Sequence, residues 1–128
     1  MHSSHNYVAA LAAGYLSRIL QQQDTLHRHA ARISRQDFNC LNELFESTRR
    51  IALDAPIFGF DDIGAVAQEL HDVVASFSAA PCRFGIDRLC ALLLEFDDAV
   101  HDASEQMRPT LAPRRPLRLM VPQEQMVA

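Results

Sequence analysis

The chain has 128 residues, is 48% hydrophobic and 22% charged, and carries a formal net charge of −4 at pH 7, which excludes disorder of the whole chain and bounds it at one domain with a real core. All twelve basic residues are arginine: eight face fifteen acids in residues 1–106, and four face one acid in residues 107–128. The acidic body therefore lacks the basic face that nucleic acid requires.

No apolar run reaches the ~20 residues of a membrane span, and the opening MHSSHNY lacks the charged and apolar regions of a signal peptide. A cytoplasmic protein without membrane or nucleic-acid partners is expected. The arginine-only basic set suggests a GC-rich bacterial source. Cys40, Cys82 and Cys90 are odd in number and lack zinc spacing, so they are read as reduced thiols in or near the core. Four glycines, no tryptophan and no proline before Pro56 predict helices, because sheets of this size need more turn residues.

Val8, Leu11, Ala12, Tyr15, Leu16, Ile19, Leu20, Leu26, Ala30 and Ile33 recur at helical steps and predict a long first helix, bent or broken near Gly14 or Gln23. Ser34 and Asp37 suggest a cap for a second helix starting near Arg35. Its inward face is Leu41, Leu44, Thr48, Ile51 and Ala55, with Phe38 and Phe45 at the edge. Pro56 ends or kinks this helix, Gly59 suits a left-handed exit, and Asp61 or Asp62 caps a third helix. That helix buries Ile63, Val66, Ala67, Leu70, Val74 and Phe77. A fourth buries Ile86, Leu89, Leu93, Phe96 and Val100.

The predicted fold is all-α, an antiparallel up-and-down four-helix bundle over residues 1–106. Residues 107–128 form a basic, proline-rich, irregular tail, divided by Pro109, Pro113, Pro116 and Pro122. Within it Leu117–Val121 could add as a strand to a partner's sheet edge, but the expected reading of the tail is a disordered end or linker.

The segment Ser47 to Phe60, STRRIALDAPIFGF, resembles the HxLKGSxxxFG pattern of histidine-containing phosphotransfer (Hpt) domains. Phe58 and Gly59 match the closing Phe-Gly, and Ile51 matches the apolar position. Arg49 falls on the phosphoacceptor histidine, Ala52 on the lysine, Leu53 on the glycine and Asp54 on the hydroxyl residue. The resemblance covers about residues 7–105 and implies a degenerate Hpt-like module. In such domains the histidine stripe docks on a response-regulator receiver and meets its acidic, magnesium-binding pocket. The lysine helps to hold phosphoryl charge, and the glycine leaves room over the imidazole.

Transfer needs a neutral imidazole nitrogen, whereas arginine stays protonated and has no lone pair. The expected function is therefore non-catalytic: a pseudo-phosphotransfer protein with no catalytic residue, cofactor or metal, binding a receiver domain or a histidine kinase. Asn42, Glu46, Arg49 and Leu53 share one stripe of the second helix, and the expected contact set is these four with Arg50 and Ala52. Arg49 either pairs with Glu46 one turn back or sends its guanidinium into the receiver's acidic pocket.

Two other readings stand beside this one. In the first, His71 or His101 accepts phosphate outside the motif, His71 being the better placed if it faces solvent. His2, His5, His27 and His29 are read, with these two, as surface residues. In the second, the bundle dimerises through Tyr7, Ala10, Ala13 and Gly14 on the first helix, as a structural two-fold pairing.

Overall fold

The computed structural model describes the backbone of residues 2–79 and 82–111, and side chains from 7 to 77 and from 82 to 107. Four helices follow in order: α1 (His2–Ser34), α2 (Leu41–Asp54), α3 (Asp61–Ala79) and α4 (Arg83–Leu111), with a 3-10 turn at Ala55–Phe58 after α2. Among the described residues there is no strand. Each helix packs on the next, and α4 closes the ring on α1. The result is the all-α up-and-down four-helix bundle that the periodicity predicts.

The inward faces of α2, α3 and α4 agree with their spacing. Leu44, Thr48, Ile51, Ala55, Ile63, Ala67, Leu70, Val74, Phe77, Leu89, Leu93, Phe96 and Val100 are buried, and Leu41, Val66 and Ile86 are partly buried. Leu92 and Ala103 join them from α4. Thr48 is tolerated in the core because its hydroxyl donates to the Leu44 carbonyl at 2.9 Å, which removes the cost of an unpaired polar group.

Along α1, Ala12, Tyr15, Leu16, Ile19, Leu26, Ala30 and Ile33 are buried, but Val8, Leu11 and Leu20 are exposed. Leu20 directly follows Ile19, and one residue turns a helix by about 100°, taking it off the core stripe. Val8 and Leu11 keep the right face but outrun their partners. At 1.5 Å per residue α1 is about 50 Å long, against about 21 Å for α2 and 28 Å for α3. The α2–α3 connection meets α1 at Tyr15, whose ring stacks on Phe58 at 4.5 Å and lies 6.2 Å from Phe60.

The helix also runs unbroken through Gly14 and Gln23. Gly14 costs about 1 kcal/mol of helix propensity, which its buried neighbours Ala12, Tyr15 and Leu16 offset. Gln23 is put to use: its amide donates to Asp97 Oδ1 on α4 at 2.8 Å. His27 Nε2 meets the same carboxylate at 2.8 and 3.1 Å.

The second helix does not start near Arg35 with a Ser34–Asp37 cap. Residues 35–40 form a turn instead. Gln36 takes a left-handed φ of 67°, its amide donates to Ile33 O at 2.8 Å, and the Asp37 amide donates to Arg32 O at 2.9 Å. That pair of bonds is a Schellman ending. The side chains of the same two residues, Arg32 and Asp37, meet at 3.0 Å, an ion pair where such endings usually place an apolar contact. The backbone bond from Asn39, and after it this ion pair, hold the Asp37 carboxyl below its ordinary range.

The other end of α2 follows the sequence more closely. Helix gives way to the 3-10 turn at Ala55, directly before Pro56, and Gly59 leaves it at φ 89°. A β-carbon on Gly64 of α3 would lie 2.8 Å from the Pro56 ring, so the bulky turn sits on α3 only because position 64 has no side chain. Asp61 and Asp62 lie inside the first turn of α3, where they complement its dipole; the helix starts from the Phe60 carbonyl, which accepts from Gly64 N at 3.0 Å.

Helix α4 continues past Met107 to Leu111, five residues beyond the expected boundary. Ala103 is buried, and Met107 packs against the core, so apolar contact keeps the helix going. The sequence from 112 onward, with Pro113, Pro116, Pro122 and Leu117–Val121, lies outside the described residues. No described helix is long and apolar enough to cross a membrane.

Candidate docking face

Because Leu44, Thr48, Ile51 and Ala55 take the inward side of α2, helical rotation turns the opposite side outward. Asn42, Glu46, Arg49, Arg50 and Leu53 are exposed, and Ala52 is half-buried against the core. Leu53 is 57% exposed, and Ile57, four residues on in the 3-10 turn, is 76% exposed. The face thus runs from polar Asn42 to an apolar pair at its lower end. The sequence reading missed Ile57, because Pro56 marks the end of the regular helix; the step of four from Leu53 was the available signal.

Arg49 Nη1 lies 3.7 Å from Glu46 Oε1, with both side chains more than half exposed. An exposed pair at that distance contributes little, a few tenths of a kcal/mol at most, so the guanidinium is free to turn to a partner. Phe58 and Gly59 serve the scaffold. Phe58 stacks on Tyr15, and Gly59 supplies the left-handed exit.

His71 on α3 borders this face rather than standing on an open surface. Its ring packs at 4.3 Å from the Phe45 ring, and its Nδ1 lies 3.3 Å from the Phe45 carbonyl and 3.4 Å from Thr48 Oγ1. A carbonyl can only accept, so a hydrogen bond here requires Nδ1 as the donor, the tautomer that leaves the lone pair on Nε2.

The remaining histidines divide. His101 is exposed. His29 is buried, not on the surface as expected: burial pushes its pKa down, with Glu43 at 3.8 Å pulling it back. His27 is partly buried in the Asp97 clasp. The side chains of His2 and His5 lie outside the described residues.

The cysteines divide as well. Cys40 is buried, its thiol donates to the His29 carbonyl at 3.6 Å, and burial pushes its pKa up. Cys82 and Cys90 are exposed, which corrects their reading as core or near-core thiols: Cys82 directly precedes α4, and Cys90 Sγ lies 3.9 Å from Ser34 Oγ at the rim of the α1–α4 contact. Of the expected dimer surface, Tyr7, Ala10 and Gly14 are exposed and Ala13 is half-buried.

Among the described residues no three of His, Cys, Asp and Glu converge as a metal site would require. No family model, characterised protein or solved structure matches the chain.

Proposed function

We propose that the chain is a non-catalytic, Hpt-like signalling module of the bacterial cytoplasm. It binds a response-regulator receiver domain or a sensor-kinase component through the outward face of α2 and carries no phosphate there. The observation that supports this most is the mix of exposed side chains along α2 and the turn that follows it. Asn42, Glu46 and Arg49 offer hydrogen bonds and charge, and Leu53 and Ile57 offer exposed apolar area beside them. That mix of polar contacts around an apolar anchor suits a protein partner.

With arginine at position 49, a receiver's acidic pocket would gain a bidentate cation and no phosphoacceptor. The contact set is Asn42, Glu46, Arg49, Arg50, Ala52 and Leu53, now with Ile57. Pull-down with the receivers of the source genome tests the reading. Arg49→Ala and Leu53→Ala should each weaken a captured receiver by about tenfold, in the range of a single interface hot spot. If neither change weakens any captured partner, the face is not the interface.

The orientation of His71 favours one second reading. With Nδ1–H held by the Phe45 carbonyl, the Nε2 lone pair could attack the phosphorus of a phosphorylated receiver; an N–P bond forms as the P–O bond to the aspartyl carboxylate breaks. Label transfer that is abolished by His71→Gln would establish this activity, and no label would remove it.

A further inference from the structure

The lower end of α1 presents an inward face that no described helix covers. Val8 lies on the same stripe as Ala12, Tyr15 and Ile19, yet it is 63% exposed, and Leu11 and Tyr7 are exposed beside it. α4 runs antiparallel to α1, with Ser34 near Cys90 and His27 on Asp97. Carried down both helices at the same rise, that register puts Leu111 level with about Ala13. The described chain thus stops just short of the uncovered residues, heading towards them.

Residues 112–128 continue the chain for another 17 residues, and in them an apolar run, Leu117 to Val121, sits among Arg114, Arg115 and Arg118. Further up the bundle, about 20 Å from Val8 by the same register, lies a cluster of acids. Asp61, Asp62 and Asp102 line a cleft of about 220 Å³ next to Gly59, with no basic residue in its wall. The six residues from 112 to 117 can span about 20 Å, and the rest of α1 below Ala13 is only about 16 Å long. Reach is sufficient.

We propose that this C-terminal segment is the missing partner of α1. Leu117 to Val121 packs over Val8 and Leu11, and its arginines face the Asp61, Asp62 and Asp102 cluster. The apolar run supplies the cover that α2 and α3 are too short to give, and opposite charge fixes where it lies. This docking does not depend on what binds α2.

A photo-cross-linking residue placed at Val8 in the 128-residue chain tests the proposal. Irradiation should join position 8 to residues 112–128 of the same molecule, so a mixture of heavy- and light-isotope protein should give no mixed product. The triple change Leu117→Asp, Leu119→Asp, Val121→Asp should cut the yield at least tenfold, with helical circular dichroism unchanged. Arg114→Glu with Arg115→Glu and Arg118→Glu should cut it several-fold. Mixed-isotope products would show that a second copy occupies the face, and absence of any tail cross-link would show that nothing from this chain does. Either result overturns the proposal, as would a yield that the triple change leaves intact.

Discussion

The two ends of α1 carry the same apolar periodicity and meet opposite fates. At the upper end Leu26, Ala30 and Ile33 are buried and the chain closes in a hydrogen-bonded turn. At the lower end Val8 and Leu11 hold matching apolar positions and lie open. Periodicity determines which way a side chain points. Burial depends on how far the neighbouring helices extend, and α2 and α3 stop at the level of Tyr15.

The two ends of α1 differ most under truncation of one residue at each. Ile33→Ala removes a side chain with 0% exposure and should destabilise the bundle by about 2–5 kcal/mol, whereas Val8→Ala should cost under about 1 kcal/mol. Urea unfolding monitored by helical circular dichroism measures both. Equal losses would mean that the lower end is as tightly packed as the upper one.

A smaller effect sharpens the account of the closed end. Gln36 holds a left-handed conformation at φ 67°, which costs an ordinary side chain about 1 kcal/mol and glycine almost nothing. Gln36→Gly should therefore raise stability by up to about 1 kcal/mol. A loss in the same urea assay would mean that the Gln36 side chain contributes more than its backbone strain costs.

The smallest effect is a pH dependence. Burial, the largest cause, lowers the His29 pKa below the ordinary 6.5, against the pull of Glu43. Above 6.5 the ring is neutral in both folded and unfolded chains. Below it the unfolded chain takes up the proton first, so stability falls as pH drops from 6.5 towards the folded value. His29→Gln should lose less stability than the wild type between pH 7 and pH 5, by comparison of urea midpoints. An unchanged slope would remove His29 as its source.

Much of this molecule is legible in its sequence. The three- and four-residue steps of Leu44, Thr48 and Ile51 identify the inward face of α2, and with it the outward exposure of Asn42, Glu46, Arg49 and Leu53. Pro56 and Gly59 announce the break between α2 and α3, because one lacks an amide hydrogen and the other tolerates positive φ. Ser34 and Asp37 mislead, since the same residues that cap a helix start can serve a helix end. Gln36 gives no local warning of its left-handed backbone. His29 and the Gln23–His27–Asp97 clasp depend on contacts 11 to 74 residues apart, which spacing within one helix cannot reveal. The role proposed for the α2 face is a separate matter, which the spacing of its residues does not decide.

That role is tested most directly by calorimetric titration of a captured receiver domain against two matched variants. Leu53→Asp with Ile57→Asp places charge in the apolar end of the proposed interface. Leu94→Asp places it on α4 at another exposed leucine, 63% accessible. The double variant should bind at least tenfold more weakly than the wild type, and Leu94→Asp should bind as the wild type does. Equal affinity for all three proteins, or an equal loss in both variants, would contradict docking through the outward face of α2.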